Sequence, residues 1–297
     1  MQKQKIIAIV GPTASGKTGL SLSLAQHFQG EVISADSRQV YRGLDIGTEK
    51  ITQGEMGEVP HHLLDVAPLT EVFSAQEYKR LGEKALREIL SREHVPIVVG
   101  GTGFYIRALL DGLVIPEVPP NDALRTKLEG LSAEELYEIL KEKDPDRAVT
   151  IEAQNPRRLV RALEIVEALG KVPPLHMSET PYDVLYIGLE TSDEVLKARI
   201  GGRLDTQLKR GLLHEVENLM QSVSPERLKE FGYEYRLAAE FLEGTLSLEE
   251  FRELLVIELW HYAKRQRTWF KRDPRIHWFK LEQQKEIEEM VERFLKK

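Results

Sequence analysis

The apolar positions of this chain change their spacing in a regular way. Ile6-Ile7-Ala8-Ile9-Val10 is a short unbroken apolar run, the pattern of a strand buried on both faces. It runs through glycines into Leu20-Ser21-Leu22-Ser23-Leu24-Ala25, which continues as a helix. Glu31-Val32-Ile33-Ser34-Ala35-Asp36 reads as a short strand that ends on an acid. Phe73 to Leu90 has helical spacing, with Ser74 as N-cap and Glu77 completing a capping box. Pro96-Ile97-Val98-Val99-Gly100-Gly101 is a further buried strand that stops at glycines. Strands and helices alternate over the first 111 residues, which predicts an α/β fold with a doubly wound parallel sheet.

The texture then changes. Pro116, Pro119 and Pro120 form one cluster, and Pro173, Pro174 and Pro181 a second. The sequence between them is charged and helical. Asn121 caps one helix, Ser132 with Glu135 makes a capping box for another, and Asn155-Pro156 opens a third that ends at Gly170. No strand is predicted there. The expectation is an all-helical domain, residues 116–180, inserted into a P-loop core made of residues 1–115 and 181–297. The core resumes with Val184-Leu185-Tyr186-Ile187-Gly188-Leu189 as a strand. Helices follow from Ser192 to Met220 and from Ser247 to Lys271, and Arg275-Ile276-His277-Trp278-Phe279 is a late, short strand.

Composition narrows the class. The chain has 297 residues, 41% of them hydrophobic, enough for a sizeable core. It has no cysteine, so disulfides, thiolate metal sites and a cysteine nucleophile are excluded. Ile6 to Val10 is too short for a signal peptide or a membrane span, so a cytoplasmic protein without membrane association is expected. A net charge of −7 argues against an undirected nucleic-acid binder and leaves room for local basic patches.

The chemistry concentrates at strand ends. Gly11-Pro12-Thr13-Ala14-Ser15-Gly16-Lys17-Thr18 follows the first strand and opens a helix, as a phosphate-binding P-loop does. Its glycines let successive N–H groups point at an anion, and the helix N-terminus adds its positive end. Lys17 contributes a mobile point charge, and the Thr18 hydroxyl suits Mg²⁺. The loop fits phosphate, diphosphate or a nucleotide such as ATP. Asp36 is placed beside it and suits a general base, a Mg²⁺ ligand or simply a turn. The strand that would carry a second Mg²⁺-binding acid ends instead in Gly100-Gly101-Thr102-Gly103-Phe104-Tyr105. Its glycines leave room for a bulky group, Thr102 offers a hydroxyl, and Phe104 and Tyr105 offer flat faces. Two basic stretches suit phosphate contacts or a solvated helix face. They are Asn155-Pro156-Arg157-Arg158-Leu159-Val160-Arg161, and His261 to Arg272 with Lys264, Arg265, Arg267, Tyr262 and Trp269. Arginines near the P-loop would alternatively clamp a leaving diphosphate. His61-His62-Leu63-Leu64-Asp65 does not match zinc spacings and is expected to be a loop packed on the core.

Taken together these residues resemble the bacterial tRNA dimethylallyltransferases, also called tRNA isopentenyltransferases. The matching segments are Gly11–Thr18, Ser34–Gln39, Tyr41–Thr48, Pro60–Asp65, Gly100-Gly101-Thr102, Asn155–Arg158 and Ala263–Gln266, in the expected order over most of the chain. The resemblance implies transfer of a dimethylallyl group from dimethylallyl diphosphate to N6 of the adenosine 3′-adjacent to the anticodon. The tRNAs concerned read codons beginning with U. It implies Asp36, Lys17 and Thr102 as catalytic residues, Gly11–Thr18 holding diphosphate, and Mg²⁺ on Thr18. It assigns tRNA contacts to Asp36, Ser37, Arg38, Gln39, Thr102, Arg125, Arg157, Arg158, Leu159, Val160 and Arg161. The partners implied are a tRNA anticodon stem-loop and dimethylallyl diphosphate; separately, a monomer is expected, though the sequence does not give the oligomeric state. One segment departs from the family pattern. Gly232-Tyr233 is followed by Glu234-Tyr235-Arg236, where a basic residue is usual at 234, and Arg236 is the candidate replacement. The rival readings are a P-loop small-molecule kinase, a prenyltransferase of free adenine nucleotides, and a nucleotide-dependent RNA-binding switch.

Overall fold

Strand β1 (Gln4–Val10) lies inside a six-stranded parallel sheet, and its seven residues explain why. Ile6 to Val10 are all fully buried, so both faces of the strand are covered. The computed structural model describes residues 3–297; the first two residues of the expected 1–115 segment lie outside the described residues. After β1 come α1 (Lys17–His27), β2 (Gly30–Ser34), α2 (Gln53–Met56), β3 (His61–His62), α3 (Ala75–Ser91), β4 (Val95–Gly100) and α4 (Gly103–Leu110). Four helices follow: α5 (Asp122–Leu128), α6 (Ala133–Lys143), α7 (Pro145–Thr150) and α8 (Pro156–Leu169). Then come β5 (Tyr182–Leu189), α9 (Asp193–Arg210), α10 (Leu212–Met220), α11 (Pro225–Glu230), α12 (Tyr233–Leu242), α13 (Leu248–Phe270), β6 (His277–Phe279) and α14 (Gln284–Lys296).

The sheet order is β3-β2-β4-β1-β5-β6. Side-chain alternation divides its core. Ile6, Ala8 and Val10 meet Tyr78, Leu86 and Ile89 of α3 and Ile106 and Leu109 of α4 on one face. Ile7 and Ile9 meet Leu20 and Leu24 of α1 and Ile287 and Val291 of α14 on the other. A parallel sheet covered by helices on both faces opens at the C-terminal ends of its strands, where the strand order reverses between β4 and β1. Helices α9 to α13 add a helical core around Leu204, Val216, Tyr235, Phe251 and Leu259.

Three local expectations are corrected. The helix expected from Ser192 to Met220 is two helices, because Gly211 takes φ 100° and ends α9. Ser74 caps α3 through the Glu77 amide, but the Glu77 carboxylate turns to Arg80 (2.8 and 2.5 Å) and does not close the box. His61 and His62 are not a loop: they form the edge strand β3 on β2. The Nε2 atom of His62 lies 2.6 Å from the carboxylate of Glu31, which Arg92 and His94 also bind.

Contacts divide the chain into two units. The segment through Gly112 joins Glu179–Lys297, and Leu113–Ser178 forms the second. The second unit has its own core of Leu136, Leu140, Leu159, Ala162, Leu163 and Val166. The sequence predicts three of its four caps and misses Asp144, which accepts from the Arg147 amide at the start of α7. Asn121 accepts from the Leu124 amide, Ser132 and Glu135 close a capping box, and Asn155 accepts from Arg158 ahead of Pro156.

Candidate active site

The ends of β1, β2 and β4 open on a cavity of about 780 Å³. One end of it is the P-loop. Gly16 caps α1 without any side-chain hydrogen bond, so the first-turn amides of that helix have no side-chain acceptor. The Ser15 hydroxyl is buried and has no hydrogen-bond partner among the described residues. Both features suit an oxyanion. The Lys17 ammonium donates to the Pro12 carbonyl (2.6 Å). Burial pulls its pKa down to about 8, against the pull of Asp36 and with the help of Arg203.

Helix α9 supplies three arginines to this end that the sequence reading missed. Arg203 donates to the Thr13 hydroxyl (2.8 Å) and to the Gly47 carbonyl (3.3 Å). Arg199 donates to the carbonyls of Ala14 and Ser15 (both 3.4 Å). Arg210 also lines the cavity. Positions 199, 203 and 210 share one helical face, and that spacing was the signal available in the sequence.

The other end is built on the loop after β2. One Asp36 oxygen, Oδ1, accepts from the amides of Arg38 (2.9 Å) and Gln39 (3.3 Å). The turn-forming role is therefore real, and it leaves Oδ2 without a protein hydrogen bond among the described residues. Thr102 fixes the same loop: its hydroxyl accepts from the Ser37 amide (3.1 Å). Neither Thr102 nor Ser37 lines the cavity. Arg38 donates to Glu234 (2.9 Å) and lies over the ring of Tyr262 (5.2 Å). Burial pushes the Tyr262 phenol up to about 12, with Arg38 opposing and Asp36 adding to the rise. Gln266 joins the two ends. It accepts from the Thr13 amide (2.8 Å) and donates to the Gly101 carbonyl (3.1 Å), so closely that a Cβ on residue 101 would lie 2.1 Å from its amide nitrogen.

Other expected residues fall elsewhere. Tyr105 offers no flat face to a ligand; it is buried and stacked on Tyr78 at 4.1 Å. Arg236 does not take over position 234, since it pairs with Glu240 (3.1 Å) outside the cavity lining, while Glu234 itself enters the cavity to hold Arg38. Arg267 binds Asp193 (2.6 Å), Arg265 donates to the Tyr233 hydroxyl (2.9 Å), and Lys264 sits over Trp260.

Arg125, Arg157, Arg158, Leu159, Val160 and Arg161 belong to the helical unit. Arg157 and Arg158 are exposed, the latter 3.3 Å from Glu152. Arg125 and Arg161 converge on Glu164, whose side chain is fully buried (2.7 and 2.9 Å). Leu159 is corrected as a tRNA contact: it is 0% exposed in the core of that unit, so its side chain has no surface to offer.

Among the described residues no cluster of three or more His, Asp or Glu side chains forms a metal site. The Thr18 hydroxyl and Asp36 do line the phosphate cavity. That set fits Mg²⁺ arriving with a diphosphate, because this ion keeps several waters and takes most of its remaining ligands from substrate phosphates.

Comparison with known proteins gives the family. The family model described as IPP transferase matches residues 39–273. A tRNA dimethylallyltransferase of Limosilactobacillus fermentum is 42% identical, with 99% of each chain aligned. The solved full-length tRNA isopentenylpyrophosphate transferase of Bacillus halodurans superposes with a TM-score of 0.75 at 36% identity, covering 99% of this chain and 97% of that one. A eukaryotic dimethylallyltransferase solved acting on tRNA gives a TM-score of 0.74 at 30% identity, over 90% of this chain and 69% of that one. Fold, phosphate loop and similarity over the whole length converge: the chain belongs to the IPP transferase family.

Proposed function

We infer that the protein transfers a dimethylallyl group from dimethylallyl diphosphate to N6 of an adenosine in tRNA. The adenosine is the one 3′-adjacent to the anticodon in tRNAs that read codons beginning with U. The observation that carries this reading is the two-ended cavity. Its anion-binding end carries Lys17, Arg199 and Arg203, and its other end presents a carboxylate oxygen without a hydrogen bond from the described residues. The names of the relatives supply the transferred group, dimethylallyl, and the acceptor, tRNA.

The exocyclic amine of adenine is a weak nucleophile, because its lone pair is delocalised into the ring. As N6 bonds to the allylic carbon, the bond from that carbon to the diphosphate oxygen breaks, and Asp36 Oδ2 takes the N6 proton. The first-turn amides of α1, Lys17 and the α9 arginines hold the charge that gathers on the leaving diphosphate. Thr18 would hold Mg²⁺ there, which supplies further neutralisation of the same oxygens. Thr102, through Ser37, and Gln266, through Thr13 and Gly101, act as positioning residues that keep the two ends in register. The adenine must leave its stack to enter the cavity. Exposed Arg157 and Arg158 suit phosphates of the anticodon stem.

The test separates this reading from a kinase built on the same loop. Incubation with tRNA, Mg²⁺ and labelled dimethylallyl diphosphate is expected to label the tRNA, with no requirement for ATP. Transfer of the γ-phosphate of ATP, with no label from the prenyl donor, overturns it.

A further inference from the structure

Glu49 places a carboxylate inside the anion-binding end of the cavity. It lies 3.8 Å from the Arg203 guanidinium and 3.7 Å from that of Arg210. Neither approach is a hydrogen bond. Glu49 Oε1 and Arg203 Nε are each buried without a hydrogen-bond partner among the described residues, although they face one another. The pairing therefore neutralises charge and leaves donor capacity unused.

The backbone is built to keep the acid there. Glu49 takes φ 53°, a left-handed conformation that a non-glycine residue adopts at a cost. Its turn is fastened from two sides. Gln39 donates to the carbonyls of Thr48 (3.1 Å) and Glu49 (3.4 Å). Gln207 donates to those of Ile46 and Gly47 (2.9 and 3.0 Å). Glu215 accepts from the amides of Asp45, Ile46 and Gly47 (3.2, 2.7 and 3.0 Å).

We propose that Glu49 is a built-in counter-anion that competes with diphosphate for Arg203 and Arg210 and so promotes release of the diphosphate product. This rests on the reading of the cavity as a diphosphate site. Phosphate oxygens can make the direct hydrogen bonds to guanidinium that Glu49 leaves unmade, so an incoming donor wins the exchange. Once the allylic C–O bond has broken, the free diphosphate carries more charge and binds the arginines more strongly. A carboxylate fixed beside them repels it and stands ready to replace it.

The test is calorimetric binding of inorganic pyrophosphate with Mg²⁺ to the full chain, to E49Q and to E49A. Loss of the competing charge is expected to tighten pyrophosphate binding about tenfold at low salt, with the gain shrinking as salt is raised. A second readout is the time course of transfer. E49Q is expected to show a first turnover followed by a slower steady rate, because product leaves slowly. Damage to the pocket would move affinity the other way, so a tighter complex cannot come from misfolding. If the wild-type chain binds pyrophosphate and E49Q binds it equally or more weakly, this proposal alone fails. If the wild-type chain does not bind pyrophosphate at all, the diphosphate reading fails and takes this one with it.

Discussion

Asp36 divides its two oxygens between structure and chemistry. Oδ1 accepts two amides and holds the loop, and Oδ2 has no hydrogen bond from the described residues. Asp36→Ala is therefore expected to lower single-turnover transfer by about 10²–10⁴-fold, with the affinity for an anticodon stem-loop changed far less. An Asp36→Ala enzyme of near wild-type rate would remove the base assignment. Lys17 makes a pH prediction. Burial brings its pKa down to about 8, so in the free protein it is cationic below that value and loses its charge as pH rises through it. The kcat/KM for the prenyl donor, which reports the free protein, should fall above about pH 8. A profile flat to high pH would show that the lysine charge plays no part.

Strands β1, β4 and β5 were legible in the sequence because each carries a run of apolar residues, and the P-loop and Asp36 were legible as strand ends. What escaped depends on contacts between distant segments. Arg199 and Arg203 sit on an otherwise ordinary polar helix and matter only because α9 passes the P-loop. Glu234 breaks the family pattern locally, and only the fold shows it bound to Arg38. Strand β3 is two residues long, too short for any periodicity. The break at Gly211 was visible as a glycine, but helical spacing resumes directly after it. Because that residue takes φ 100°, Gly211→Ala should cost roughly 1–2 kcal/mol in unfolding free energy, read by denaturant titration. At the sheet edge, Glu31 joins β2, β3 and the turn before β4. Burial alone would raise its pKa, but hydrogen bonds from Arg92, His62 and His94 override that and hold it near 2, against an ordinary 4.5. Its stabilisation is thus complete above about 4.5 and is lost as pH falls toward 2. Glu31→Gln leaves those partners without a carboxylate and should cost about 3 kcal/mol at neutral pH, with a weaker acid dependence over that window.

Each of the two units carries its own hydrophobic core. Cations of the core unit line the cavity at the P-loop, whereas Arg157 and Arg158 of the helical unit face solvent. Replacing both with alanine should weaken stem-loop binding and reduce its salt dependence by about one unit of slope for each phosphate no longer neutralised, while pyrophosphate binding stays unchanged. An unchanged salt slope would place the RNA elsewhere. The central claim, prenyl transfer to one adenosine of tRNA, is tested most directly by single-turnover transfer from labelled dimethylallyl diphosphate with Mg²⁺. Three acceptors are compared: an anticodon stem-loop with adenosine 3′ of the anticodon, the same loop with guanosine there, and free AMP. The account predicts label on the adenosine loop alone; label on AMP, or on no acceptor, would contradict it.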